Sequence, residues 1–328
     1  MGVKWGVMGT AGIAKGCTIP GMKKAEGCDL YAIAGRNEEK IRSYKEEFGF
    51  EKSYTGYEAL LADPEVEAVY IPLPNNLHRE WVMKALNAGK HVLCEKPLGL
   101  NADEVRQMQE AAKANNVILM EAYAYLHSPY IEALRADIES GIIGEVQYIS
   151  SSFLTQGYED DIRVRRENGG GALYDLGCYC TTLILSLVDS EPVWVKADAE
   201  FNDDNVDIFT SGLIKFENGV RASFNVGMML GTRGTTGDAR YDDLYVHGTL
   251  GYIRSSVEFN QEGRLEYTIV SEGRELRRSV EARQNYSLEI EQLNSCIVNE
   301  EEPLVTEEFS VRNASLMDNL LKDMGYSS

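Results

Sequence analysis

Two patterns alternate along the first third of the chain. Short apolar or β-branched runs lie at 4–8, 30–34, 68–71, 91–94 and 117–120, and amphipathic stretches with a charged face separate them, as at 37–48 and 101–114. A strand buried on both faces reads as an unbroken apolar run, and a helix laid over it keeps its polar side outward. The order strand, helix, strand therefore predicts a doubly wound parallel sheet over 3–120. Asn101, ahead of Ala102-Asp103-Glu104, is placed to cap the second of these helices.

Beyond Tyr130 the period changes. One more helix reaches Ser140, and Gly141-Ile142-Ile143-Gly144 then turns the chain into segments that alternate apolar and polar positions, at 146–154, 193–201, 206–216, 221–228, 243–247, 252–257 and 265–270. Glu217-Asn218-Gly219 is a hairpin signal between two of them. A long helix interrupts at 172–188, and helical pattern returns at 286–298 and 311–324. The expected fold class is α/β: an N-terminal Rossmann domain with a doubly wound parallel sheet over 1–122, then an α+β domain with a large, mainly antiparallel open sheet over 123–328.

The 328-residue length agrees with two domains, and 44% hydrophobic with 26% charged residues is ordinary for globular structure. The net charge of −20 repels phosphate backbones and anionic headgroups, which makes nucleic acid and membrane poor partners. The first eight residues lack a basic segment followed by a long apolar one, and no apolar run reaches spanning length, so a cytoplasmic protein is expected. Cys17, Cys28, Cys94, Cys178, Cys180 and Cys296 show no disulfide or CxxC spacing, and His78, His91, His127 and His247 show no metal-ligand spacing. Reduced thiols and no metal follow.

The first run ends in Gly9-Thr10-Ala11-Gly12-Ile13-Ala14. This fits the dinucleotide fingerprint, in which the first glycine makes the strand-to-helix turn, a small middle residue lets backbone N–H groups reach pyrophosphate, and the last allows close packing. A Gly-rich turn beside a helix is the plainer alternative. At the end of the second run, roughly 20 residues on, an NAD-preferring protein places an acid, but Gly35-Arg36-Asn37 stands here. A guanidinium can pair with a 2′-phosphate, which favours NADP, with NAD possible; a solvated arginine at a helix start is the alternative.

Glu95-Lys96-Pro97 follows the fourth run, where ligands bind in open α/β sheets. Beside a nicotinium ring and partly desolvated, a lysine there can accept a proton or donate a hydrogen bond to a substrate oxygen. By spacing alone an exposed structural lysine is commoner. Farther on, Asn168-Gly169-Gly170-Gly171 opens a helix bearing Asp175 and Tyr179, four apart and on one face. A tyrosine hydroxyl can relay a proton while the carboxylate orients it. An acid favoured by the helix dipole and a half-buried tyrosine would look the same.

Taken together these residues resemble the glucose/fructose oxidoreductase and inositol dehydrogenase family (Gfo/Idh/MocA). The matching stretches are Trp5 through Ala14, Ile71-Pro72-Leu73-Pro74-Asn75-Asn76-Leu77-His78, Ala88 through Pro97, Gly141 through Gly144 and Gly169 through Gly177. The resemblance implies that Lys96 lies beside nicotinamide and substrate, with Glu95 in the cofactor set, and that Leu73, Pro74, Asn75 and His78, in the loop after the third run, line the cofactor. Many members carry histidine four residues after the helix aspartate. Tyr179 stands there instead, as in the dimeric dihydrodiol dehydrogenases and NADP-dependent D-xylose dehydrogenases, and the resemblance implies that Lys96 with Tyr179, one or the other, is the acid/base.

Tyr125, His127 and Arg163 resemble substrate contacts, but Leu126 replaces a common arginine, so substrate identity does not carry over. The implied activity is hydride transfer between NADP and a sugar, polyol, cyclitol or related substrate. The implied assembly is a homodimer or homotetramer through the C-terminal sheet. Two other readings keep the fold: a dinucleotide sensor without turnover, and redox-assisted glycoside cleavage.

Overall fold

The computed structural model describes residues 2–158, 161–230 and 240–326, and within them the apolar runs are strands covered on both faces. β1 (Val3–Met8), β2 (Cys28–Gly35), β3 (Lys52–Thr55), β4 (Ala68–Ile71), β5 (His91–Glu95) and β6 (Leu119–Ala122) form a sheet in the order β3-β2-β1-β4-β5-β6. All neighbours are parallel, so this is the doubly wound arrangement expected. The polar edge strand β3 escaped a search for apolar runs, and β6 begins two residues later than its run.

The connecting helices are α1 (Ile19–Lys24), α2 (Glu38–Phe48), α3 (Tyr57–Leu61), α4 (Asn75–Asn87) and α5 (Ala102–Ala114). The starts of α2 and α5 are set by side chains. Asn37 accepts the Lys40 N–H at 3.0 Å and Asn101 the Glu104 N–H at 2.9 Å, each satisfying an otherwise orphaned donor.

After α3, Asp63 gathers the Tyr54 hydroxyl at 2.6 Å, the Lys52 ammonium at 2.9 Å and the Glu65 N–H at 3.0 Å. Burial pushes its pKa up, but the three donors win and hold it at about 2, below the ordinary 3.8. A depressed folded pKa gives stability that is present above the unfolded value and lost as pH falls through the folded one. Asp63→Asn is therefore expected to melt lower than wild type at neutral pH and to converge with it between pH 4 and about 2. Melting curves that stay parallel down to the lower limit would remove Asp63 from the acid response.

The second sheet has eight strands: β7 (Val146–Leu154), β8 (Pro192–Phe201), β9 (Asp207–Phe216), β10 (Arg221–Gly227), β11 (Tyr241–Gly248), β12 (Gly251–Ser255), β13 (Gly263–Ser271) and β14 (Arg274–Ala282). Their order is β14-β13-β12-β11-β7-β10-β9-β8, and among the described residues only β7 and β10 run parallel. Alternation buries one face, which α7 (Cys178–Leu187) packs against, and leaves Tyr148, Trp194 and Leu213 exposed. Charge-rich β14 lacks the alternation that reveals a strand. It is held to α6 (Pro129–Glu139) by Asp137, which accepts two bonds from Arg278 at 2.8 and 2.9 Å and the Tyr267 hydroxyl at 2.6 Å.

Packing groups the chain into two compact units, residues up to 127 with 283–311, and 128–282 with the residues from 312 on. No single boundary carries this feature, because the segment after β14 returns to the first unit. There α8 (Asn285–Asn299) supplies Asn294, which accepts the Trp5 indole N–H at 2.9 Å and donates to the Glu26 carbonyl at 3.1 Å. Helix α9 (Glu307–Asp323) begins four residues before its periodic segment. Among the described residues no helix is long and apolar enough to cross a membrane.

Candidate active site

In the first unit the winding of the sheet reverses between β1 and β4, and loops at the carboxyl ends of such strands form the ligand crevice of this architecture. Gly9 leaves β1 at φ 134°, a conformation side chains rarely adopt, and donates its N–H to the Ala34 carbonyl at 2.8 Å. The chain becomes helical at Gly12, where an added Cβ would meet nothing within 4 Å. Tyr44 of α2 donates its hydroxyl to the Thr10 and Ala11 carbonyls at 3.2 and 3.3 Å, fixing the loop from below. Ile13 and buried Ala14 continue the helix. A helix N-terminus preceded by small residues and open space fits a pyrophosphate.

Gly35 ends β2 close to Ile41 of α2, and Arg36 follows it on the surface, hydrogen-bonded with the Tyr57 hydroxyl. Burial raises the Tyr57 pKa and the guanidinium opposes it. Tyr57 is thus a support for Arg36 that sequence reasoning missed, since a tyrosine opening a short helix carries no signal of its own. Asn37 is engaged as the α2 cap.

Lys96 follows β5, and its peptide bond to Pro97 is cis. His78, expected to line the cofactor, is 0% exposed, with Nδ1 2.8 Å from the Pro97 carbonyl and Nε2 2.8 Å from the Leu73 carbonyl. It therefore ties the Lys96 loop to the loop carrying Leu73, Pro74 and Asn75 from behind. That loop follows the fourth strand, since β3 precedes it. Burial lowers the His78 pKa, and the two carbonyls oppose this. Glu121 supports the same turn by accepting the Leu98 N–H at 2.9 Å, and burial raises its pKa. The Lys96 charge is felt at both His78 and Glu121. Glu95 accepts the Tyr70 hydroxyl at 2.6 Å. Tyr125 is 2% exposed with its ring edge-on to Tyr123, and His127 is half-buried.

In the second unit the Gly169–Gly171 loop folds back on residue 163. Gly171, at φ 143°, donates its N–H to the Arg163 carbonyl at 2.9 Å, and an added Cβ would lie 2.2 Å from Asp207 Oδ1. Asp207 Oδ2 accepts the Leu173 N–H and the Thr210 hydroxyl, both at 2.7 Å, so a buried carboxylate anchors the start of the helix. The first turn, Leu173–Gly177, is a π turn, and α7 continues from it. Such turns concentrate at functional sites.

The structure brings Arg163 to Asp175. Its Nε donates to Asp175 Oδ1 at 3.0 Å and its Nη1 to Asp161 Oδ1 at 3.0 Å, and the Asp175 charge is the main cause that raises the Arg163 pKa. Tyr179 packs its ring against Phe153 at 5.6 Å and Phe259 at 5.1 Å. The Arg240 guanidinium lies 4.6 Å from the Phe153 ring centre and is gripped by buried Asp242. Phe153, Asp207, Arg240 and Phe259 come from separate segments, so only the folded sheet assembles them around the helix.

Comparison with known proteins adds the following. Residues 3–123 match the family model described as GFO_IDH_MocA, oxidoreductase family, NAD-binding Rossmann fold, and 131–254 match the GFO/IDH/MocA C-terminal domain. The chain is 32% identical to D-xylose 1-dehydrogenase (NADP(+)) 2 of Haloferax volcanii, over 94% of this chain and 93% of that one. It is 29% identical to the trans-1,2-dihydrobenzene-1,2-diol dehydrogenase of Xenopus laevis, over 99% of each. A 3-ketoreductase from Actinomadura kijaniata, crystallised with NADP and TDP-benzene, superposes with a TM-score of 0.90 at 29% identity, covering 98% of both chains. That enzyme has also been crystallised with a lysine and with a tyrosine individually replaced.

Proposed function

The chain belongs to the Gfo/Idh/MocA oxidoreductase family, and from that premise we propose that it is an NADP-dependent enzyme moving hydride between the nicotinamide and a sugar, polyol, cyclitol or related hydroxyl or carbonyl substrate. The observation that carries the reading is Lys96 at the carboxyl end of β5, in a turn fixed by His78 and Glu121 beside the switch point of the sheet.

When bound, the nicotinamide supplies the acceptor or donor of hydride. The protein's residues do the rest. The 9–14 loop receives the pyrophosphate on its backbone, Leu73, Pro74 and Asn75 line the ring side, and Glu95 accepts from the ribose hydroxyls. Lys96 donates a hydrogen bond to the substrate oxygen and offsets its developing charge. Tyr179 relays the proton: during oxidation it receives the substrate hydroxyl proton as its own phenolic proton passes to solvent, and during reduction it gives its proton to the substrate oxygen and is reprotonated from solvent, with Asp175 and Arg163 holding its neighbourhood in register. Tyr125 and His127 contribute to the substrate side. The test is absorbance at 340 nm with NADP(H) and NAD(H), in both directions, against sugars, polyols, inositols and dicarbonyls. Net NADPH formation with a free sugar or polyol is expected, and no change with any of them would sink the proposal.

Arg36 selects NADP by pairing with the 2′-phosphate, held there by Tyr57. A lost charge-assisted hydrogen bond weakens binding by roughly 10- to 100-fold. Arg36→Ala should weaken NADP by about that factor and NAD by less than about threefold. Equal losses for the two would count against the contact. The exposed apolar residues of the second sheet, Tyr148, Trp194 and Leu213, are the surface through which a homodimer or homotetramer forms, and six free cysteines suit a reducing cytoplasm.

A further inference from the structure

Behind Glu95 the first unit holds a buried polar cluster that the reaction above leaves unused. Thr18, in the helix after the glycine loop, Tyr70 of β4 and Glu289 of α8 are 1%, 0% and 1% exposed. The Thr18 hydroxyl donates to Tyr70 Oη at 2.9 Å, and the Tyr70 hydroxyl donates to Glu95 Oε1 at 2.6 Å. The direction is forced. Tyr70 has a single proton, which goes to Glu95, so its oxygen must be the acceptor for Thr18.

Glu289 sets the charge state of the cluster. Its Oε1 is buried and has no hydrogen-bond partner among the described residues, and it interacts electrostatically with both Glu95 and Tyr70. Two carboxylates in such surroundings do not both ionise at low cost. The deeper one keeps its proton, and burial pushes Glu289 well above the usual carboxylate range. Cys17 and Cys94 also feel Glu95, but burial raises both thiols, so neither adds a charge. Glu95, half-exposed and receiving the Tyr70 proton donor, is the carboxylate of the pair.

We infer that Tyr70, backed by Thr18, is a positioning residue that fixes the plane of the Glu95 carboxylate for the ribose hydroxyls of the bound dinucleotide. The inference rests on the assignment of Glu95 to the cofactor set. Tyr70 itself lies a layer below the site, at 0% exposure, and reaches the ligand only through Glu95. A core tyrosine in a fully buried strand gives no hint of this role in the sequence.

The experiment is NADP+ titration of the full chain by fluorescence, on Glu95→Gln, Tyr70→Phe, their double variant and Glu289→Gln. Loss of a hydrogen bond to a charged group predicts about tenfold weaker binding for Tyr70→Phe, with kcat at saturating cofactor within about threefold of wild type. The double variant should bind no more weakly than Glu95→Gln alone, because Tyr70 acts through Glu95. Glu289→Gln, an amide of the same shape as the neutral acid, should bind within about twofold of wild type; a loss beyond tenfold would show Glu289 ionised and overturn the charge assignment. Wild-type affinity in Tyr70→Phe beside weakened Glu95→Gln, or fully additive losses, removes the inference alone. Wild-type affinity in Glu95→Gln instead removes Glu95 from the cofactor set, and the inference with it. Should Tyr70→Phe fold poorly, Thr18→Val makes the same test, with an expected loss of about twofold to threefold.

Discussion

Lys96→Ala and Tyr179→Phe are each expected to lower kcat by roughly a hundredfold or more, the scale of a lost general acid/base or of a lost donor to a developing oxyanion. Under the proposed roles the two losses should not multiply, since both groups would then serve one proton movement on one oxygen. Tyr179→Phe is the cleaner variant. The ring keeps its contacts with Phe153 and Phe259, so its melting temperature should fall by no more than the few degrees that one hydroxyl interaction is worth, while turnover falls far more. Steady-state kinetics in both directions, with a melt on each variant, separates loss of chemistry from loss of fold. Turnover near wild type in both variants would dismiss the role assignment.

The largest effect on stability is expected at Asp207, which the sequence did not single out. Asp207→Ala takes the acceptor from the Leu173 N–H and the Thr210 hydroxyl in a site that is 0% exposed. Stranding two buried donors costs about 2–4 kcal/mol. Asp207→Asn keeps an acceptor oxygen, and burial already drives the carboxyl upward toward its neutral form, so a cost below about 1 kcal/mol is expected. Urea melts give both values. An alanine variant as stable as the asparagine one would refute the anchoring role. The anchored turn leads into Asp175 and Tyr179, so the alanine variant should lose turnover as well.

Much of this was legible in the order of residues. Unbroken apolar runs revealed the parallel strands because burial on both faces leaves no room for alternation, and the capping asparagine at 101 marked a helix start through a local bond, whereas the same role of Asn37 emerged only in the fold. The glycine loops and Lys96 were visible because backbone geometry and strand-end position constrain residue type locally. What stayed hidden is non-local. Strands β3 and β14 are polar and exposed, so no periodicity betrays them. His78 looks like a ligand contact in its motif, and only its two carbonyl partners show it to be a clamp. Thr18, Tyr70 and Glu289 read as core or as surface helix, and their cluster exists only once α8 is in place.

The Trp5 to Asn294 hydrogen bond spans 289 positions. A ribosome adding 5–20 residues per second delivers the second partner roughly 15 to 60 s after the first. For that interval the strands that emerge earliest have their sheet neighbours but not the closing helix. The nascent first unit is thus complete only once 283–311 has emerged, and the polypeptide between its two parts has time to collapse before that. Apolar surface around Trp5 stays without its α8 partner until that helix has emerged.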